Sequence, residues 1–97
     1  MASSNPLDAL FEALADPSRR QFLSEIGQGG PSTATELAKA AGMSRQNAGK
    51  HLAVLVKAGL VERKRVGRRI VYSVAARGLF ATVAWLGEIG CSMLRDE

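Results

Sequence analysis

Gln46, Asn47 and Lys50 are the residues of this 97-residue chain whose types and spacing most directly suggest chemistry. A glutamine can hold adenine through two hydrogen bonds, and a lysine can reach guanine or a backbone phosphate. Ser44 and Arg45 stand just ahead of them, where a helix beginning here would offer orphan amides and its positive dipole end to a phosphate. Gly49, beside Ala48, keeps the surface low enough for a close approach to a groove. Farther along, Arg63, Lys64, Arg65, Arg68 and Arg69 are crowded into one short stretch. The chain carries a net charge of +4, and its placement is uneven. Segment 44–72 holds eight basic groups against Glu62 alone, a net of +7, whereas 1–43 is −2 and 73–97 is −1. Such a segment suits a polyanion, with double-stranded DNA the first candidate. Two ordinary explanations compete. A polar outer side is what any amphipathic helix turns to water, and cations on short strands protect sheet edges.

The elements that must position these residues can be traced from caps and periodicity. Residues 1–4 read as a loose tail. Asn5-Pro6 predicts a helix start, with Leu7, Leu10, Phe11 and Leu14 along one side. Asp16-Pro17 repeats the signal before Phe22, Leu23 and Ile26, and Gly27, Gly29, Gly30 and Pro31 are expected to end that helix. Thr33 and Glu36 have capping-box spacing, followed by Leu37, Ala38 and Ala41 and then Gly42. Ser44 caps a further helix in which Ala48, Leu52, Leu55 and Val56 recur at helical spacing until Gly59. On a wheel of residues 45–57, Gln46, Asn47, Gly49, Lys50 and Lys57 lie opposite the apolar side. His51 falls nearer the inner side, which suits a structural or a phosphate-contacting role. A short helix, a glycine turn and a second helix form a helix-turn-helix.

Val61–Val66 and Ile70–Val74 are β-rich and flank Gly67-Arg68, which predicts a hairpin with a basic tip able to reach the minor groove or flanking phosphates. Helical spacing returns from Leu79 to Met93, with Leu79, Phe80, Val83, Leu86, Ile89 and Met93 in a stripe and Trp85 beside it. The expected fold is mainly α (α+β): a single winged helix-turn-helix domain over 1–97, with about five helices and one β-hairpin wing.

Composition sets the outer limits. Hydrophobic residues make up 46% and charged residues 23%, as in ordinary globular domains. A core this small gains from burying an apolar face against a second copy. No apolar stretch approaches a membrane span, and the start lacks the basic and apolar runs of a secretory leader. A lone thiol, Cys91, fits a reducing cytoplasm. Packing is the default role for Cys91, with a redox or ligand-sensing thiol as the alternative. One histidine cannot build a zinc site within a subunit. Gly27–Gly30 lacks the Lys-Ser or Lys-Thr pair of a phosphate loop, and no catalytic constellation, metal spacing or cofactor motif is present. The expectation is a non-enzyme without metal or cofactor.

Several runs together carry a family resemblance. They are Ala13-Leu14-Ala15-Asp16-Pro17-Ser18-Arg19-Arg20, then Thr35-Glu36-Leu37-Ala38, then Met43 to Val61, and Gly67-Arg68-Arg69 with Tyr72. Across nearly its whole length the chain resembles the ArsR/SmtB winged helix repressors. The resemblance implies a homodimer built from the first and last helices, about 5–15 and 77–93, and paired recognition helices on an inverted-repeat operator. It further implies repression of a nearby promoter, relieved by an inducer such as a small molecule. The stripes Leu7, Leu10, Phe11, Leu14 and Leu79, Val83, Leu86, Ile89 suit that interface. Metal-sensing members carry a cysteine pair where this chain has Ser32-Thr33-Ala34-Thr35, or acidic and histidine ligands in a last helix that here has no histidine. Asn47 and Gly49 stand where many relatives have alanine and serine. Two other readings stay open: a winged helix that binds protein instead of DNA, and a redox sensor acting through Cys91.

Overall fold

The computed structural model describes residues 6–95, with side chains from 7 to 92. The expected tail at 1–4, the cap at Asn5 and the Met93 side chain lie outside those limits. Five helices and one hairpin follow in order: α1 Pro6–Leu14, α2 Pro17–Gly29, α3 Ala34–Ala41, α4 Arg45–Lys57, β1 Val61–Val66, β2 Arg69–Val74 and α5 Ala76–Arg95.

The α1–α2 corner is a reciprocal cap. The Asp16 carboxylate accepts hydrogen bonds from the Ser18 and Arg19 amides at 2.7 and 3.4 Å, which satisfies the start of α2. The side chains of Arg19 and Arg20 reach back to the last carbonyls of α1: Arg19 Nε donates to Ala13 at 2.7 Å and Arg20 to Leu14 at 2.6 Å. Partial burial raises the pKa of Asp16. The two amides, with the charges of His51 and Arg19, outweigh that effect and hold it below the ordinary carboxylate range.

α2 runs farther than the glycines predict. Gly27 and Gly29 are helical, and the chain leaves the helix only at Gly30, whose φ is +90°. Mid-helix glycine costs about 1 kcal/mol relative to alanine, less than the packing of Ile26 in the core supplies. The capping box of α3 forms as expected. The Thr33 amide donates to Glu36 Oε1 at 2.8 Å, and the Glu36 amide donates to Thr33 Oγ1 at 3.2 Å.

The core gathers Leu10, Ala13, Phe22, Ile26, Leu37, Ala48, Leu52, Leu55, Leu60, Val61 and Tyr72 between the helices and the root of the hairpin. β1 and β2 pair antiparallel from Val61↔Val74 to Val66↔Arg69, closed by the two-residue turn Gly67-Arg68. Ser32 adds a single bridge to β2, exchanging two backbone hydrogen bonds with Tyr72 at 3.1 and 2.8 Å. Among the described residues no helix is long and apolar enough to cross a membrane.

α5 departs from the rest. Leu79 packs partly on the core and Thr82 is buried, but Phe80, Val83, Leu86 and Ile89 are 70, 64, 51 and 43% exposed. Trp85 meets Phe11 of α1 edge-on, with ring centroids 5.4 Å apart. The expected interface stripe therefore divides. Leu10 is 3% exposed and belongs to the chain's own core, which corrects its assignment to an intermolecular surface. Leu7, Leu14 and Leu79 lean partly on that core, leaving Phe11, Val83, Leu86 and Ile89 outward.

Candidate nucleic-acid interface

The turn between α3 and α4 sets the angle of α4. Gly42 takes the left-handed conformation (φ 70°, ψ 33°), where a side chain would be strained, and its amide closes onto the Ala38 and Lys39 carbonyls. The Met43 amide donates a further hydrogen bond to the Ala38 carbonyl at 3.0 Å. Ser44 then caps α4, its hydroxyl oxygen accepting from the Asn47 amide at 3.1 Å.

Ala48, Leu52 and Leu55 are fully buried, so one side of α4 is fixed against the core. Gln46, Asn47 and Lys50 stand exposed on the other side, and Arg45 is exposed at the amino end of the helix. Gly49 is half-buried, and a Cβ there would meet nothing within 4 Å. The lack of a side chain at Gly49 therefore reflects no internal contact; it leaves the outer surface flat. His51 parts from this group. It is half-buried, and its ring lies edge-on to Phe22 with centroids 6.1 Å apart, on the side of α4 that faces α2. That placement favours the structural role over direct phosphate contact.

The wing cations also divide. Successive strand residues point to opposite faces. Arg63, across from Tyr72, faces α3, and Lys64, across from Val71, does not. Arg65 turns its Nε to the Gly67 carbonyl at 3.2 Å, bracing the turn. A groove of about 430 Å³ opens between α3, the start of α4 and the wing, lined by Thr33, Thr35, Arg45, Arg63, Arg68, Arg69 and Tyr72 among others. Four guanidinium groups thus share one concave surface, and the planar fork of each matches phosphate oxygens. The acid nearest to them is Glu36, 3.7 Å from Arg69 across an exposed pair. Glu36 lies below the ordinary carboxylate range, first because of the Thr33 amide and hydroxyl and then because of Arg69.

Sequence reasoning placed Arg45 and the wing arginines separately and missed Thr33 and Thr35 as floor residues. The capping box located the start of α3, but nothing in the spacing reveals that it faces the wing. Cys91, expected to pack, is exposed near the end of α5.

Comparison with known proteins agrees with this fold. A helix-turn-helix domain family model matches residues 14–64. The transcriptional repressor SdpR of Bacillus subtilis is 30% identical over 80 residues, covering 82% of this chain and 88% of that protein. An ArsR-like transcriptional regulator from Rhodococcus sp. RHA1 superposes with a TM-score of 0.82 at 37% identity, covering 94% of this chain and 85% of that one. The homodimeric winged helix-turn-helix DNA-binding domain from Mycobacterium bovis gives a TM-score of 0.71 at 32% identity, with 91% of each chain covered.

Proposed function

Because the chain belongs to the ArsR-type winged helix-turn-helix transcriptional regulators, we propose that two copies of it bind an inverted repeat in duplex DNA and repress the promoter that contains it. The observation that carries this reading is the meeting of Arg45 from α4 with Arg63, Arg68 and Arg69 from the wing around one groove, beside the exposed Gln46, Asn47 and Lys50.

The division of labour follows from chemistry. The arginines clamp phosphate oxygens and set the register of the protein on the duplex without reading sequence. α4 enters the major groove with Gln46 toward an adenine edge and Lys50 toward a guanine or phosphate. Gly49 lets the backbone sit close. The exposed apolar side of α5 supports pairing with the same helix of a second copy, which would set two recognition helices about one DNA turn apart, ~34–36 Å. The M. bovis domain, described as homodimeric, supports the same assembly. A duplex occupied in this way is closed to other proteins at that promoter, which is repression by exclusion.

The residues do not favour a thiolate-bound metal at the start of α3. Ser32, Thr33, Ala34 and Thr35 offer hydroxyls, and that of Thr33 is already engaged with Glu36 at 3.1 Å. We assign no metal to this site.

The deciding experiment is fluorescence anisotropy with the promoter fragment upstream of the protein's own gene, titrated across salt and against random duplex. Neutralising ~6–8 phosphates per dimer gives a slope of log K against log salt of about −5 to −7. Binding that survives random competitor supports a sequence-specific regulator of its own promoter. Binding erased equally by random duplex overturns it, and no binding at low salt would favour a protein partner instead.

A further inference from the structure

The junction between α4 and α5 contains a position where only glycine fits. A Cβ on Gly78 would collide with the Gly59 carbonyl oxygen, and it would lie 2.9 Å from that carbonyl carbon and 3.3 Å from the Leu60 nitrogen. All three are backbone atoms of the turn that leaves the recognition helix, so no side-chain rotation relieves the clash. Gly87 and Gly90, on the same helix, have nothing within 4 Å. One hydrogen bond spans the junction, the Ala75 amide donating to the Leu60 carbonyl at 2.9 Å; within α5 the buried Thr82 hydroxyl donates to the Gly78 carbonyl at 3.1 Å.

We infer that Gly78 is a specificity-determining residue for DNA. By resting α5 directly on the Gly59-Leu60 backbone, it fixes the angle between the dimer helix and the recognition helix, and with it the half-site spacing that the protein accepts. The inference rests on the dimeric reading proposed above.

The magnitudes support this. A carbon normally keeps about 3.3–3.6 Å from a carbonyl oxygen, so an added methyl group drives the backbones apart by on the order of 1 Å. Trp85 anchors α5 to Phe11 seven residues on, about 10 Å along the axis at 1.5 Å per residue. The displacement becomes a tilt of about 6°. Each recognition helix lies ~17 Å from the dyad, so both together shift by about 3.5 Å, close to one base-pair step.

The test is selection from a pool of random duplexes with wild type, Gly78→Ala and Gly87→Ala in parallel, reading both half-site sequence and half-site spacing. All three proteins should select the same half-site. Wild type and Gly87→Ala should share one spacing, while Gly78→Ala shifts it by about one base pair and binds the wild-type spacing roughly tenfold more weakly. An unchanged spacing for Gly78→Ala, whatever its affinity, overturns the inference. Wild-type selection of half-sites with no fixed spacing would instead overturn the dimeric reading beneath it. Should Gly78→Ala fail to fold, Ala75→Pro removes the Ala75–Leu60 hydrogen bond without adding bulk at the seat, and the extended Val74 before it tolerates proline. Ala75→Pro should broaden the accepted spacings, and a spacing as narrow as wild type counts against the proposal.

Discussion

α4 and α5 are both amphipathic, yet one closes its apolar side within the chain and the other leaves it open. Ala48, Leu52 and Leu55 of α4 are wholly buried, and what remains outside is mainly polar and cationic, with Val54 37% exposed among it. In α5 the outside retains Phe80, Val83, Leu86 and Ile89. The contrast shows that a helix declares its partner by the surface it has left over. A polar remainder next to arginines suits a polyanion, and an apolar remainder suits another apolar surface.

The sharpest way to break this comparison is to truncate one leucine from each helix. Leu52→Ala should destabilise the folded subunit by about 2–5 kcal/mol in urea unfolding, because the surrounding core cannot fill the space. Leu86→Ala, measured at concentrations low enough to keep subunits apart, should cost within about 0.5 kcal/mol, as exposed sites do. Similar losses at both would erase the distinction.

Charge on the open side comes next. Leu86→Glu should raise the dimer dissociation constant by about a hundredfold, since truncating or charging a central contact costs at least ~2 kcal/mol. Sedimentation measures this, and an unchanged association would mean that α5 is not the interface. On the α4 side, Gln46→Ala should cost about 1–3 kcal/mol at one operator position and relax preference there. Arg68→Ala should weaken all duplexes alike and flatten the salt slope by about one. Equal behaviour of the two variants on operator and random DNA would refute the separation of reading from clamping.

The smallest effect concerns acid. Asp16 and Glu36 both lie below their ordinary range in the folded chain. A depressed carboxylate pKa adds stability that is complete above the unfolded value and is lost as pH falls through the folded one. Stability should therefore decline on acidification past the ordinary carboxylate range, and Asp16→Asn, which still caps α2, should flatten that decline. A pH profile of the urea midpoint identical to wild type would remove Asp16 from this account.

Much of this was legible because caps and periods are local. Ser44, the Thr33–Glu36 box and Gly67-Arg68 each act within four residues, and each element formed where they indicate. What sequence reasoning missed depended on distance in space. Leu10 shares a stripe with Leu7 and Leu14, but only packing against α2 and α4 decides that it faces inward. Gly27 and Gly29 looked like a helix end until tertiary contacts carried α2 past them. Neither the seat under Gly78 nor the gathering of Arg45 with the wing has any signature in spacing. Each joins residues eighteen to twenty-four positions apart.

The Ser32–Tyr72 bridge divides the wing into two parts with different lifetimes. The Tyr72 amide is buried and bonded to Ser32, so in heavy water it should exchange only when the whole subunit opens. Gly67 and Arg68, exposed at the tip, should take up deuterium by local fraying, orders of magnitude sooner. The root of the wing lasts as long as the fold, and its tip is left to be ordered by whatever it grips.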